Sequence, residues 1–275
     1  MTKHYSLIIL GAGDLGSRLA QEAQQNNLSV LAVKRSRDDI PRSYDMKYLD
    51  LTSDIEQLAD YACDIMVYCV AASDRSVTGY RQSYYHGLKQ ALATITHQHC
   101  LFVSSTRVYG QNEGEWVDEQ SPAEPADSQG EVLKETEQLL AEQDCSVRLA
   151  GIYGPERTRM IRLASQGSRT EQTAFGNRIH VEDAVALISF LCNRWRSGQA
   201  NPGVVLGCDG QGASQNEVLT WLQQQLNVDP QESAKLTMSK GKRCHSSWLQ
   251  QAGFQFRYPD FQTGYAALLQ DRTRY

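Results

Sequence analysis

The chain has no CxxC pair, no long apolar run, no excess of basic residues and no internal repeat. Its seven cysteines (Cys63, Cys69, Cys100, Cys145, Cys192, Cys208, Cys244) are odd in number and scattered, several of them inside predicted strands. That excludes a disulfide-stapled secreted scaffold and predicts reduced thiols in a cytoplasmic protein. The opening MTKHYSLIIL carries only a few apolar residues before glycines begin, too few for a signal segment or a membrane span, so neither export nor a membrane partner is expected. With 27 basic against 32 acidic residues, a net charge of -5 and no basic run longer than KRSR, nucleic acid is excluded as the main partner. HQHC, His97 to Cys100, has no second cluster to complete a metal site, so no metal is expected. At 275 residues the chain can bury a core without staples, as one large domain with an appendage.

Short apolar, β-branched runs alternate with amphipathic segments through the first half. YSLIIL is followed by glycines and then by Leu15, Leu19 and Ala23 at helical spacing; LSVLAVK, MKYLDL, DIMVYCVAA, CLFVSST and CSVRLAG continue the series of strands. Continuously apolar strands between helices predict a parallel sheet covered on both faces, an α/β doubly wound architecture. After YGPERTRM the elements shorten. Helices are expected in VEDAVALISFLCNRW, NEVLTWLQQQL (with a capping box of Ser214 and Glu217), SSWLQQAG and FQTGYAALLQ, and a strand in GVVLG. The expected division is residues 1–154 as a nucleotide-binding domain and 155–275 as a smaller mixed lobe on the sheet's carboxyl edge, with some elements returning to the first domain.

GAGDLG, Gly11 to Gly16, sits between a strand and a helix, where a dinucleotide is held. Gly11 permits the tight turn, Gly13 lets the backbone approach a pyrophosphate and Gly16 allows close helix packing, while the first-turn amides around Asp14 and Leu15 face the anion. The next strand ends in VKRSR, where an acidic residue would grip the 2'-hydroxyl of NAD. Lys34, Arg35 and Ser36 stand there instead, which predicts NADP in preference to NAD, the alternative being an ordinary solvated basic loop.

With SSTRVYG, Lys134, YGP and RIHVED in view, the sequence resembles the extended and atypical short-chain dehydrogenase/reductases, and more narrowly the NAD(P)-dependent epimerase/dehydratase family. The resemblance implies a Rossmann-type sheet, an oxidoreductase or epimerase/dehydratase acting on a hydroxyl or carbonyl carbon of a small or sugar-like substrate, and a homodimer. It places Asp50 and Leu51 on the adenine-contacting pair and Val70, Ala71 and Ala72 along the cofactor. Ser105 falls on the hydroxyl that polarises the substrate oxygen and Lys134 on the lysine that bonds the nicotinamide ribose. Gly130 falls where the proton-transferring tyrosine belongs, four residues before that lysine and on its face of the helix. Ser128 and Glu131 fit a capping box around it.

Tyr109, Tyr153, Tyr84 and Tyr85 are the candidates to replace the phenol, with Tyr109 and Tyr153 equally readable as packing aromatics. Tyr153, Arg178 and His180 are expected near the substrate. Nucleotide-sugar members carry an arginine four residues before the histidine, where this chain has Gly176. Two functions remain open: an NADP-dependent oxidoreductase or epimerase, and an NADP-binding sensor or scaffold without turnover.

Overall fold

The computed structural model describes residues 2–169, 172–229 and 237–270. The apolar runs form β1 (Lys3–Leu10), β2 (Val30–Lys34), β3 (Asp45–Tyr48), β4 (Tyr61–Tyr68) and β5 (Thr96–Ser105), joined by the strands Cys145–Leu149 and Val204–Gly207 into one seven-stranded sheet. Reading across it, the order is Val204–Gly207, Cys145–Leu149, β5, β4, β1, β2, β3, and the pairs from β5 to β3 are parallel. This is a Rossmann-type α/β fold, with the order reversing at β1. Ile8, Ile9, Leu31, Ala32, Met66, Val67, Leu101 and Phe102 are fully buried, as a sheet covered on both faces requires. The GVVLG strand, from the second half of the chain, joins this main sheet.

Strand register sets the site. Leu10 lies level with Val33 and with Tyr68, and Tyr68 with Phe102. Gly11, Lys34 and Cys69 therefore emerge side by side at the carboxyl edge, and Ser105 three residues past Phe102. The helical run from Val77 to Thr94 widens into a π-turn over Arg81–His86. Its cause is Tyr68, whose buried hydroxyl donates to the Ser83 carbonyl at 2.5 Å and fills the space a side chain on Gly87 would need.

Two compact units interleave along the chain. One gathers residues up to Val108 with Pro125–Arg148 and Val185–Val205; the other takes Tyr109–Glu124, Leu149–Ala184 and the residues from Leu206 onward. In the second, strands Gly151–Tyr153 and Arg178–His180 pair in parallel, and a three-stranded sheet places Thr237–Cys244 between Glu113–Val117 and Gln172–Ala174. Helices Arg159–Ser165, Gln215–Leu226 and Phe261–Gln270 bury Ala164, Val218, Leu219, Leu222, Phe261, Tyr265 and Leu268 in one cluster with Tyr153. The capping box of Ser214 and Glu217 is formed. The one expected at Ser128 is not: Asp127, one residue earlier, caps helix Ser128–Glu137 by accepting the Gly130 amide, and the same carboxylate accepts from Arg107. Among the described residues no helix is long and apolar enough to cross a membrane.

Candidate functional site

The glycine loop separates by role. A Cβ on Gly11, whose φ is +99°, would lie 2.6 Å from the Val70 nitrogen, and one on Gly16 would lie 2.5 Å from the Gly11 carbonyl oxygen. These two glycines let backbones pack. Gly13 is different: a Cβ there would meet nothing within 4 Å, so the backbone is open to an approaching group. Gly13 is also the N-cap of helix Asp14–Gln25, with no side chain capping it, and the amides of Leu15 and Gly16 have no intrahelical acceptor. The loop is pinned by Gly11 and Ala12 amides donating to the Val33 carbonyl and by the Cys69 thiol donating to the Gly11 carbonyl. A cradle of backbone amides, a positive helix end and room for anion oxygens fit a dinucleotide pyrophosphate. Asp14 pairs with Arg18, and Leu15 is buried beneath the loop.

Val70, Ala71 and Ala72 leave β4 as an extended, partly exposed segment, and Val70 lies against Gly11. Asp50 holds a turn, accepting from the Thr52 amide and hydroxyl, and these bonds keep its carboxyl below the usual carboxylate range. Leu51 is buried beside it.

At the end of β2 the Lys34 cation is already engaged. The Lys34 ammonium donates to Asp38 at 2.6 Å, and Arg42 grips the same carboxylate with both terminal nitrogens at 2.5 and 2.7 Å. These two partners, Arg42 foremost, hold Asp38 far below its ordinary value. Arg37 lies over the Tyr48 ring, while Arg35 and Ser36 are exposed. The strand end expected to select a phosphorylated ribose is thus a closed ion cluster around an acid. Its signal was present in the sequence: Asp38 stands four residues after Lys34 and four before Arg42. Substituting Asp38→Asn, which frees both cations, is expected to raise NADP+ affinity relative to NAD+ about tenfold, the worth of one charge-assisted hydrogen bond. Parallel calorimetric titrations check it, and an unchanged ratio would mean that the cluster does not face the ribose.

Around the expected chemistry, Ser105 ends β5 with its hydroxyl accepting the Arg107 amide at 3.2 Å. Lys134 is half-buried on helix Ser128–Glu137. Gly130, one turn before it, is buried, and a Cβ there would lie 2.7 Å from the Pro125 Cβ and 2.9 Å from the Arg107 carbonyl oxygen. Arg107 was not singled out by the sequence, yet it ties this corner together. Its Nε donates to both Asp127 oxygens at 2.9 and 3.0 Å, its Nη2 to Gln129, and its Nη1 to the Tyr80 hydroxyl at 3.4 Å.

Of the other tyrosines, Tyr109 is buried and donates to the Asp118 carbonyl at 2.8 Å. The Tyr84 hydroxyl accepts the Ala72 amide at 3.4 Å, and Tyr85 lies against Arg81 and His86. Tyr153 is buried in the second unit, its ring 4.7 Å from Tyr265, with its hydroxyl donating to the Asp260 carbonyl at 3.5 Å and occupying the space beside Gly264.

His180 packs between Tyr153 and Tyr258, at 5.2 and 4.0 Å, and its Nδ1 accepts the Glu182 amide. Two residues before it, the buried Arg178 lies over Phe261 and donates from Nη2 to the Ala213 carbonyl, while its Nη1 has no hydrogen-bond partner among the described residues. Asp209, which no sequence signal marked, is the complement: its amide donates to the Arg178 carbonyl, one carboxylate oxygen accepts from Gln211, and the other is buried with no partner among the described residues. Burial, only partly offset by the Arg178 charge, pushes Asp209 up to about 6. The second unit therefore offers a hydrogen-bond donor and an acceptor, both desolvated and unsatisfied, among aromatic rings.

A sequence profile described as the NAD dependent epimerase/dehydratase family matches residues 7–207. None of the curated proteins matches the chain. Among solved structures, a Methylobacillus flagellatus protein assigned to the NAD-dependent epimerase/dehydratases is 33% identical over 98% of this chain and 99% of its own, with a TM-score of 0.86. MoeE5 in complex with UDP-glucose and NAD is 20% identical over 98% of this chain and 99% of its own, at 0.77. Bordetella bronchiseptica WbmG in complex with NAD is 16% identical over 99% and 95%, also at 0.77. The expected preference for NADP is overturned by these findings: the family is described as NAD dependent, and MoeE5 and WbmG hold NAD. In keeping with this, the Lys34 ammonium is already engaged by Asp38.

Proposed function

The chain belongs to the NAD dependent epimerase/dehydratase family, and on that premise we propose that it is an NAD-dependent oxidoreductase or epimerase acting on a hydroxyl-bearing carbon of a sugar-like, nucleotide-linked substrate. The observation that carries the reading is the glycine loop, in which Gly11 and Gly16 are closed by backbone contacts and Gly13 alone opens onto space at the helix amino end. Bound NAD+ would supply the two-electron acceptor for the substrate carbon. Leu15 and Gly16 amides hold its pyrophosphate, Lys134 bonds the nicotinamide ribose, and the Ser105 hydroxyl orients the substrate oxygen. In the second unit, Arg178 Nη1 and Asp209 Oδ2 suit a polyol, whose hydroxyls accept and donate at once. The UDP-glucose held by MoeE5 is consistent with that class.

A second reading, an NAD-binding protein without turnover, is favoured by one observation: the position where the resemblance expects a phenol has no room for a side chain. The deciding experiment is calorimetry with NAD+ and NADP+, followed by absorbance assays of cofactor reduction over a panel of UDP- and ADP-sugars. Binding of NAD+ with reduction by at least one sugar nucleotide is the expected result. Absence of any heat with NAD+ would overturn both readings, and binding without reduction across the panel would leave the second.

A further inference from the structure

If the chain oxidises a hydroxyl, some group must take that proton, and Gly130 has none to exchange. The structure assigns a replacement within the first unit. We propose that Tyr80 exchanges the substrate's hydroxyl proton and that Arg107 holds the Tyr80 oxygen for this task; the proposal rests on the dehydrogenase reading above.

Tyr80 ends the helical turn Val77–Tyr80, directly before the π-turn that Tyr68 forces into the helix. Its ring is fixed from two sides. Tyr84 packs against it at 5.2 Å, and the Arg107 guanidinium lies 5.6 Å from its centroid while Nη1 donates to its hydroxyl oxygen. The hydroxyl accepts that bond, and its own proton has no acceptor among the described residues. Of its neighbouring phenols, Tyr68 donates to Ser83, the Tyr84 hydroxyl accepts a backbone amide, that of Ala72, and the Tyr85 ring lies against His86; among these four, the Tyr80 hydroxyl is the one bonded by a guanidinium.

Arg107 is held by the residues that flank the missing tyrosine. Asp127 caps the helix that contains Gly130 and binds Arg107 through both oxygens, and Gln129 accepts from Nη2 while donating to the Arg75 carbonyl. Through its amide Arg107 also fixes the Ser105 hydroxyl. One residue thus connects the hydroxyl expected to orient the substrate oxygen with a phenol able to exchange its proton. The absence of a Cβ at Gly130 is what allows the helix to sit against the Arg107 carbonyl and keep this arrangement.

In the forward step the substrate O–H bond breaks and its proton passes to the oxygen of the phenolate form of Tyr80, the reverse step using the neutral phenol. The C–H bond breaks with its electron pair and hydrogen leaving together to NAD+, and the C=O bond forms. The phenolate charge and the nicotinamide charge are lost together, so the step balances. A guanidinium beside the oxygen stabilises the negative charge it carries before the transfer.

The test combines two variants with a probe. Tyr80→Phe and Arg107→Gln are assayed with NAD+ and whichever sugar nucleotide the wild type oxidises, and 3-fluorotyrosine is placed at position 80 for fluorine NMR and for a pH–rate profile. Tyr80→Phe is expected to lower kcat about 10²–10⁴-fold, the usual worth of a positioned acid–base group, with calorimetric NAD+ affinity within twofold of wild type. Arg107→Gln is expected to lower kcat while sparing KM more than a loss of packing would, and fluorination to move the acidic limb of the profile to lower pH. The fluorine resonance is expected to shift when UDP-glucose or the active sugar nucleotide is added with NAD+. Tyr80→Phe turning over within threefold of wild type, or a resonance unmoved by a ligand that calorimetry shows to bind, would overturn the assignment. A wild type that oxidises nothing across the panel sinks the dehydrogenase reading instead, before the variants are compared.

Discussion

Gly130→Tyr is expected to gain no turnover and to lose about 3 kcal/mol of stability, measured by urea unfolding at neutral pH. Replacing a helical glycine ordinarily helps, by about 1 kcal/mol for alanine at an exposed interior position. Here the sign reverses on contact distances. The first atom of any side chain would lie 2.7 Å from the Cβ of Pro125, a ring that cannot rotate away, and 2.9 Å from the backbone oxygen of Arg107. Overpacking of this kind costs typically 1–3 kcal/mol, and a phenol adds far more volume than a methyl, so the upper end applies. Gly130→Ala separates the two contributions: if the gain in helix propensity outweighed the clash it would stabilise, whereas a net loss is expected. Because Asp127 both caps this turn and binds Arg107, the displacement would also loosen Arg107 from Tyr80. A Gly130→Tyr protein as stable as wild type, or one reducing NAD+ faster, would show that the corner accepts the phenol after all.

The contrast between Gly130 and Gly13 shows what a sequence can and cannot reveal. GAGDLG was readable because its geometry is local, a strand, a turn and a helix within twenty-three residues, and Gly11 and Gly16 pack as the spacing requires. Gly130 is closed by Pro125 and Arg107, and nothing in SQGEVLK announces that approach. The β2 end misled for a related reason. Lys34 and Arg35 stood out as charge, but Asp38 folds back on the strand end and engages Lys34 together with Arg42, leaving Arg35 exposed. The strands of the main sheet were legible because they are apolar on both faces. Thr237–Cys244 was not: its KGKRC stretch has no apolar alternation, although it is the middle strand of a three-stranded sheet, where Arg243 packs its guanidinium 4.9 Å from Trp116 and 4.8 Å from Phe175. Asp209 carried no signal because its meaning depends on Arg178, thirty-one residues earlier and paired to it through a backbone bond.

Asp209→Asn is expected to make the protein more stable above pH 7 by about 3 kcal/mol while leaving it nearly unchanged at pH 4. The Asp209 carboxyl is raised from 3.8 to about 6, by burial first and against the opposing pull of Arg178. A group whose folded value lies above its unfolded one binds more protons in the folded state. Its stabilising effect is therefore complete below about pH 4 and is lost as pH rises through about 6. A displacement of about two units is worth roughly 3 kcal/mol. The asparagine side chain resembles the protonated acid in shape and does not ionise, so the wild type and the variant should diverge between pH 4 and pH 7, with the variant ahead. Asp183 is also raised by burial, its oxygens accept the Arg257 and Tyr258 amides in both proteins, and its charge is one of the smaller causes of the Asp209 shift. Thermal melts at several pH values read the divergence, and parallel curves would show that Asp209 is solvated or paired. If Asp209 binds a substrate hydroxyl, the same substitution should weaken sugar-nucleotide affinity while NAD+ affinity holds. A buried, unsatisfied carboxylate retained at a cost in stability is what a binding site requires, since the acceptor must be in place before the ligand arrives.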